Sequence, residues 1–344
     1  MWHGRASCSP LPSGERSRAK RAGEGASATL LLAVFLAALP FVASAQDFPT
    51  RPVRVISALS PGGTSDIFIR AVGEELHRRW GQPLIVENRA GGNTLIAGKA
   101  CAEAPPDGTT ICILPGETLA FNKYRYKSLP YDPGTQYAPI MALFYSISAL
   151  VVNSDLKVRT IRDLVTLAKA KPKTLSYMAP SVPLGLFMEK LNAAEGIDIV
   201  RVPFRGGGDT ANAILGGSTP IAFLGISNFV SHLQAGSMTA IAVDSDKRVA
   251  LLPDVATVAE QGFPDNPVKA FFGLIAPAGT PKPIVDRIRN DIAAIMAEPQ
   301  FRKAQMTDRG LDPIADTPEA FAKFLADYRA ASERMVKDAA LEPL

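Results

Sequence analysis

The sequence predicts an α/β protein made of two similar halves and a helical tail. Short β-branched runs alternate with helical patterns from about residue 53 to residue 114, and the alternation restarts after about residue 148. Two Thr-Pro steps, at Thr280 and Thr317, each have the form of a helix start. Since strands that alternate with helices form parallel sheets with helices on their faces, each half is expected to be one α/β lobe.

The first half is predicted to contain three strands and two helices. β-Branched residues predict strands at 53–58, 83–87 and 109–114. Apolar residues at helical spacing predict one helix that runs from Ile67 to Trp80, and a second helix is expected from Thr94 to Ala104. This order implies that the three strands lie parallel in one sheet.

The second half begins with a capping-box variant at 160–163, which predicts a helix that ends before Pro172. Further strands are predicted at 175–178, 197–203, 220–224, 239–243 and 271–276. Helices are predicted at 184–195, 209–215 and 228–235. The two Thr-Pro steps open the last two helices, the first of which runs to about Ala297.

The first 45 residues have the pattern of a signal peptide. A basic stretch precedes an apolar run at 28–42, which is too short for a comfortable membrane span of about 20 residues. Ala43-Ser44-Ala45 matches a cleavage site, so cleavage after Ala45 and a periplasmic location are predicted. A short membrane anchor is the alternative, and the long basic stretch leaves open a start codon downstream of Met1.

The charge balance argues against a nucleic-acid partner. The chain of 344 residues carries 37 basic and 33 acidic residues, a net charge of +4. The predicted signal peptide contains five of the basic and two of the acidic residues, which leaves the mature chain at +1. Nucleic-acid binding requires a strongly basic surface, whereas affinity for a small anion can come from a few local groups.

Neither a metal site nor a catalytic site is predicted. The mature chain retains only His77 and His232, and it has no C-x-x-C, H-E-x-x-H or G-x-S-x-G pattern. A dinucleotide-like glycine pattern at 206–211 is set aside because an exported protein meets little NAD, so no cofactor is expected. Cys101 and Cys112 could form one disulfide or stay as two buried thiols, and the sequence leaves both open.

Three glycine-rich loops, at 61–66, 90–94 and 204–209, each follow a strand and open a helix. A helix N-terminus has unpaired N–H groups and the positive end of the helix dipole, so it binds carboxylate or phosphate. Thr64 and Ser65 would add hydroxyl donors. One such loop is more often only a capped turn, but three at the same end of a parallel sheet favour an anion site.

These loops and other segments of the mature chain resemble a known receptor family. The segments are Ser60–Asp66, Val86–Gly92, Val202–Gly207, Leu251–Gly262 and Ala276–Arg287. In this order they are similar to the Bug receptors, which are the extracytoplasmic solute receptors of tripartite tricarboxylate transporters. No single segment is decisive, but the ordered set spans essentially the whole mature chain.

The resemblance implies a periplasmic-binding-protein-like α/β fold, with two lobes, crossing hinge strands and a ligand cleft between the lobes. The first lobe would take residues 46–147 and 268–344, and the second would take residues 148–267. The implied ligand is a small carboxylate, such as a dicarboxylate or an aromatic acid. The implied partners are the permease subunits of the transporter, and a monomer is expected.

The resemblance also assigns ligand-binding residues. The family's first-lobe loops match Gly62, Gly63, Thr64, Ser65, Asp66, Glu117 and Thr118. The second-lobe positions are Ser181, Phe204, Arg205, Gly206, Gly207 and Gly225. Backbone N–H donation is expected from Gly62, Gly63, Gly206 and Gly207, and Arg205 either supplies positive charge or points to solvent. Asp66 has the alternative role of capping its own helix.

Two departures from the family pattern bear on the ligand. The loop at 179–183 contains few donors beyond Ser181, and Gly225 stands where the family often has an aspartate. Without that carboxylate the obvious partner of a ligand amino group is missing. We therefore hypothesise a ligand that is not an amino acid but a more apolar carboxylate, such as an aromatic acid.

Two other functions fit the same sequence. One is a ligand-loaded sensory receptor that engages a membrane signalling partner instead of a permease. The other is an enzyme on the same bilobal fold, which would require a catalytic group in the cleft.

Overall fold

A computed structural model describes residues 48–203, 207–264, 268–314 and 316–344. The predicted signal peptide and the predicted site residues Phe204, Arg205 and Gly206 lie outside these residues. In the described part of the chain no helix is both long and apolar enough to cross a membrane.

The strands are β1 (Val53–Ser57), β2 (Leu84–Asn88), β3 (Thr110–Pro115), β4 (Tyr137–Ser146), β5 (Ser148–Asn153), β6 (Ser176–Met178), β7 (Val200–Arg201), β8 (Ile221–Gly225), β9 (Met238–Asp244), β10 (Phe271–Pro277) and β11 (Leu311–Pro313). The α-helices are α1 (Thr64–Trp80), α2 (Leu95–Ala102), α3 (Asn122–Arg125), α4 (Ile161–Ala170), α5 (Val182–Glu195), α6 (Gly207–Leu215), α7 (Val230–Gln234), α8 (Lys282–Ala297), α9 (Pro299–Gln305) and α10 (Pro318–Asp338). A π-helical turn, Glu117–Phe121, precedes α3.

The first sheet has the strand order β11-β4-β10-β3-β1-β2. β1 pairs in parallel with both β2 and β3, as the sequence predicts, whereas β10 pairs antiparallel with β3 and β4. Adjacent residues of β1 enter different cores: Val55 packs with α1 and α8, and Ile56 packs with α2 and α10. Because helices cover both faces, the central strands are apolar on both sides.

The second sheet has the order β7-β6-β8-β5-β9. β6 pairs in parallel with β7 and β8, and β5 pairs antiparallel with β8 and β9. Helices α4 and α5 cover one face, and α6 and α7 cover the other. The fold is therefore mixed α/β with two helix-covered sheets, in agreement with the predicted fold class.

The chain crosses between the sheets at two places. β4 ends at Ser146 in the first sheet and β5 begins at Ser148 in the second, so a single residue, Ile147, separates them. The return runs from β9 to β10. The lobe boundaries of 46–147 with 268–344 and 148–267 stay a prediction, with which this division of the strands is compatible.

Helix starts agree with the sequence in two of three places. The Thr160 hydroxyl accepts from the Asp163 amide at 3.0 Å and completes a capping box, and the Thr317 hydroxyl accepts from the Ala320 amide at 3.1 Å. Thr280 was expected to cap α8, but its hydroxyl donates to the Pro277 carbonyl at 2.8 Å. Helix α8 therefore begins one residue later, after Pro281.

Cys101 and Cys112 form a disulfide, which decides between the two alternatives left open by the sequence. The bond joins α2 to β3, and both residues are fully buried. It closes a loop with a sequence separation of 11 residues, and both cysteines belong to the first-lobe core.

Replacing both cysteines, Cys101→Ala with Cys112→Ala, should lower the free energy of unfolding by about 3 kcal/mol, because a closed loop of this length restricts the unfolded chain. Urea denaturation measures this loss. A reductant should destabilise the wild type similarly and leave the double variant unaffected. Equal stability of the two proteins without reductant would contradict the prediction.

Candidate ligand-binding cleft

The candidate site is a cleft of about 670 Å³ between the two sheets. The first-lobe wall comes from the residues after β1, the loop before α2, the segment from the π-helical turn to Tyr126, and Leu341 and Leu344 of the C-terminal tail. The second-lobe wall comes from the residues after β6, helix α5 and the end of β7. The cleft thus lies outside the carboxyl ends of parallel strands, where α/β sheets bind ligands.

Most of the wall is apolar. The apolar side chains are Ala58, Leu59, Met178, Ala179, Pro180, Val182, Leu186, Val202, Pro203, Leu341 and Leu344. A wall of this composition with a few polar groups is typical of small-molecule sites. The apolar part favours a ligand with a hydrocarbon body, and the polar groups determine its orientation.

Four charged side chains line the cleft: Glu117, Arg125, Glu189 and Arg201. Arg125 donates to the Glu342 carbonyl at 3.1 Å. Arg201 donates to the Ala179 carbonyl at 2.9 Å and pairs with Glu189 at 3.2 Å. The side chain of Arg201 is 42% exposed. Each lobe therefore presents one guanidinium group at the cleft.

The loop before α2 has an unusual backbone. Four consecutive residues, from Gly91 to Thr94, have positive φ, with values of 113°, 54°, 47° and 69°. A positive φ is unfavourable for a β-branched residue such as Thr94, so this conformation needs support from the surrounding structure.

A buried hydrogen-bond network supports the loop. Asn122 donates from Nδ2 to the Asn93 carbonyl at 2.9 Å and lies 3.3 Å from the Thr94 hydroxyl. The Thr118 hydroxyl donates to Thr94 at 2.7 Å, and the Tyr131 hydroxyl donates to the Thr118 carbonyl at 3.2 Å. Thr118 thus contacts the loop behind the cleft wall and is fully buried.

Glu117 lies at the start of the π-helical turn and lines the cleft. Desolvation raises the pKa of its carboxyl to about 7, against a hydrogen bond from its own backbone that favours ionisation. Among the predicted site residues, Glu117 is therefore the one whose charge changes near neutral pH.

The predicted loop from Gly62 to Asp66 lies outside the wall of this cleft. The Gly62 amide donates to Asp66 at 3.0 Å, and the Gly63 amide donates to the Ser60 carbonyl at 3.4 Å. Ser65 is fully buried with its hydroxyl 3.3 Å from that of Ser57. The Gly62 and Gly63 amides and the Ser65 hydroxyl thus have partners within the first lobe.

Asp66 accepts hydrogen bonds that hold this loop in place. Although burial opposes ionisation, hydrogen bonds from Arg70, Gly62 and Asn88 lower the pKa of its carboxyl below the usual value. Arg70 and Asn88 each donate at 3.0 Å. Asp66 lies in the first turn of α1, where its charge favours the helix dipole, but α1 has no side-chain cap.

Thr64 contacts the other lobe. Its hydroxyl forms hydrogen bonds with the Ser227 hydroxyl and with Nδ2 of Asn228, the latter at 3.1 Å. Asn228 also donates to the Gly225 carbonyl at 2.9 Å. The hydroxyl that was predicted to bind ligand therefore bridges the two sheets in this conformation.

The remaining second-lobe positions have structural partners. Ser181 caps α5 by accepting from the Leu184 amide at 3.4 Å. Gly225 ends β8, and a Cβ there would lie 2.4 Å from the Ser146 hydroxyl oxygen, so any side chain at 225 requires Ser146 to move. Gly207 begins α6. The ligand-binding roles of these residues stay predictions.

No sequence motif predicted Arg125 or Arg201 as site residues. The resemblance favoured Arg205, in a glycine-rich loop, although Arg201 ends a strand of the second sheet. The end of a predicted strand near the predicted cleft is a sequence signal that could have identified Arg201. No sequence signal could have identified Arg125, because α3 lies beside the C-terminal tail only in the folded chain. The Leu344 amide donates to the Arg125 carbonyl at 2.8 Å, a contact between residues 219 positions apart.

Comparison with known proteins identifies the family. The model of the tripartite tricarboxylate transporter family receptor matches residues 68–341. This chain belongs to that receptor family. A UPF0065 protein of Bordetella bronchiseptica is 30% identical over 321 residues, covering 93% of this chain and 95% of the relative.

Solved structures of similar proteins agree. The periplasmic binding protein BugD is 26% identical, with a TM-score of 0.80 over 86% of this chain and 100% of its own. The R. palustris protein Rpa4515, determined with adipate, is 27% identical with the same TM-score and coverage. The resemblance to Bug receptors is confirmed, and the chain is a solute-binding receptor and not an enzyme.

Asn122→Ala should destabilise the fold by about 1–3 kcal/mol, because it removes the donor to the Asn93 carbonyl and to the buried Thr94 hydroxyl. The strained loop would then relax and reshape the cleft wall. Chemical denaturation measures the stability, and Asn290→Ala on α8 provides an exposed control. Unchanged stability would show that the network does not hold the loop.

Gly98→Ala should also destabilise, by about 1–3 kcal/mol, although alanine favours helices. A Cβ at Gly98 would lie 2.5 Å from the ring of Tyr131 and 2.9 Å from Thr118, which support the loop. Ala100→Gly on the same helix is the control for helix propensity. Stabilisation by Gly98→Ala would contradict this packing.

Proposed function

We propose that the mature chain is an extracytoplasmic receptor that captures a small carboxylate in the cleft and delivers it to the permease of a tripartite tricarboxylate-type transporter. Export by the N-terminal segment, with cleavage after Ala45, would place it in the periplasm. Family membership supports the receptor class, and Rpa4515 with adipate is a relative whose ligand is a dicarboxylate.

The observation that carries this proposal is the pair of arginines at the cleft, one from each lobe. Guanidinium groups bind carboxylates with two parallel hydrogen bonds. Arg125 and Arg201 each keep donors beyond those already bonded to carbonyl groups and to Glu189. Because the predicted mature chain carries a net charge of only +1, such local groups have to supply the attraction for an anion.

The size and lining of the cleft favour a ligand with a carboxylate head and an apolar body. A volume of about 670 Å³ accommodates an organic acid of the size of adipate or an aromatic acid. The second-lobe wall is formed mainly by Met178, Ala179, Val182 and Leu186. This wall supports the hypothesis that the ligand is not an amino acid.

Lobe closure would follow from binding in this position. A ligand that contacts Arg125 and Arg201 together favours the conformation in which the two lobes are close. The bonds of Thr64 to Ser227 and Asn228 add direct contacts between the sheets in that conformation. A permease would then recognise the closed, loaded form.

A thermal-shift screen against adipate, succinate, benzoate and aspartate tests the proposal. A ligand that binds only the folded protein adds about 2.7 kcal/mol of stability at 100 times its Kd, so Tm should rise with adipate or benzoate. Tight aspartate binding would contradict the hypothesis on ligand class. No shift with any carboxylate would contradict the proposed function.

Arg201→Gln should weaken carboxylate binding by about 10- to 100-fold, since it removes a charge-assisted hydrogen bond. Isothermal titration calorimetry measures the affinity. Arg248→Gln is the matched control, because Arg248 lies in the same lobe but pairs with Glu260 away from this cleft. Equal affinities of both variants would remove Arg201 from the site.

A further inference from the structure

Glu117 differs from the other charged groups of the cleft wall in its partners. Arg201 pairs with Glu189, and Arg125 donates to a backbone carbonyl. Within the described part of the chain, the Glu117 carboxyl forms no ion pair and no hydrogen bond with another residue. Its place in the cleft wall is therefore combined with an acid that no described residue neutralises.

The elements packed around the π-helical turn explain this isolation. On α10, Tyr328 donates to the Lys269 carbonyl at 3.0 Å, and burial together with the charge of Glu117 raises the pKa of Tyr328 well above its usual value. Arg329 donates to the carbonyls of Leu119 and Pro133. The Tyr328 hydroxyl and the Arg329 guanidinium therefore donate to backbone carbonyls and not to the Glu117 carboxyl.

The other neighbours contribute no compensating charge either. On α3, Lys123 is exposed, and Arg125 is directed to the Glu342 carbonyl. The hydroxyl of Tyr126 accepts from Asn93 at 2.7 Å, and Tyr124 is half-buried. β3 and residues 90–94 of the loop before α2 carry no ionisable side chain, and Arg89 at the start of that loop pairs with Glu87 at 2.6 Å.

A desolvated carboxyl without a partner has two ways to lower its free energy. It can bind a proton and become a hydrogen-bond donor, or it can pair with a cation. A carboxylate ligand between Arg125 and Arg201 would be repelled by an ionised Glu117 but would accept a hydrogen bond from the neutral acid. If Arg125 and Arg201 hold an anionic ligand in the cleft, protonation of Glu117 is therefore favoured over pairing with a cation.

We propose that Glu117 contacts the ligand carboxylate as a neutral acid, so that at alkaline pH each carboxylate bound takes up one proton from solvent and affinity falls as pH rises. This inference rests on the proposed function. The receptor would then bind anionic ligands more tightly at mildly acidic pH and release them at alkaline pH.

The sign follows from the protonation states. The pKa of free Glu117 is raised to about 7 by desolvation, and a carboxylate hydrogen-bonded to the neutral acid raises it further. Below the pKa of the free protein, binding takes up little proton and affinity is flat. Above it, affinity should fall about tenfold for each pH unit, which amounts to about thirtyfold between pH 6 and pH 8.5.

Calorimetric titration with adipate, succinate and benzoate at pH 6, 7 and 8.5 tests the proposal. Measurements in two buffers of different ionisation enthalpy count the protons taken up at each pH. In Glu117→Gln, whose amide is a donor without a charge, affinity should vary by less than about twofold over this range. At pH 8.5 this variant should bind more tightly than the wild type.

Glu195→Gln serves as the control, because Glu195 is a second-lobe carboxylate that pairs with Arg162 outside the cleft wall, so this variant should keep the wild-type pH dependence. Flat wild-type affinity with clear binding would overturn the role of Glu117 but leave the proposed function intact. Loss of binding in Glu117→Gln at every pH would also overturn it and indicate a ligand cation paired with the carboxylate. Failure of the wild type to bind any of the three acids would contradict the proposed function itself.

Discussion

The two crossings between the sheets are the constraint on which the cleft depends. β4 pairs with β10 in the first sheet, and β5 pairs with β9 in the second, so the outgoing and returning strands run side by side. Only Ile147 separates β4 from β5, and its amide and carbonyl bond to Gly310 and Ile226. Short, paired crossings keep the carboxyl ends of the parallel strands of both sheets beside one shared space, where binding residues from distant parts of the chain meet.

Anion recognition in this protein is a local property. The predicted mature chain is almost neutral, and the described loops after β1 and before α2 use many of their polar groups internally. The cleft wall contains an arginine from each lobe, apolar side chains and the acids Glu117 and Glu189. Local charge in a partly dry cleft acts more strongly than the same charge at the surface, because water screens it less. Under the proposal for Glu117, the protonation state of one carboxyl would alter the charge balance of the whole cleft.

Much of the fold could be predicted because its signals are local. Val53–Ser57 and Thr110–Pro115 are strands buried on both sides, and such strands are continuous β-branched or apolar runs. Thr160 and Thr317 cap helices through bonds to residues three positions away, so four residues of sequence contain the whole interaction. Thr280 does not cap α8 because its hydroxyl donates to the Pro277 carbonyl, three residues earlier in the chain. The Thr-Pro pattern that predicts a helix start contains no information about this hydrogen bond.

The sequence by itself predicted the α/β class, the parallel arrangement of the first three strands and the receptor family, and it singled out Glu117, which lines the cleft. Only the tertiary structure decided the partners of each polar group. Thr64 bonds to residues more than 160 positions away, and Asn122 holds the strained backbone at Thr94 from another element. The pairing of Cys101 with Cys112 and the place of Arg201 beside the cleft were decided in the same way. Strands and caps are read from neighbours in the chain, whereas a binding site is made by neighbours in space.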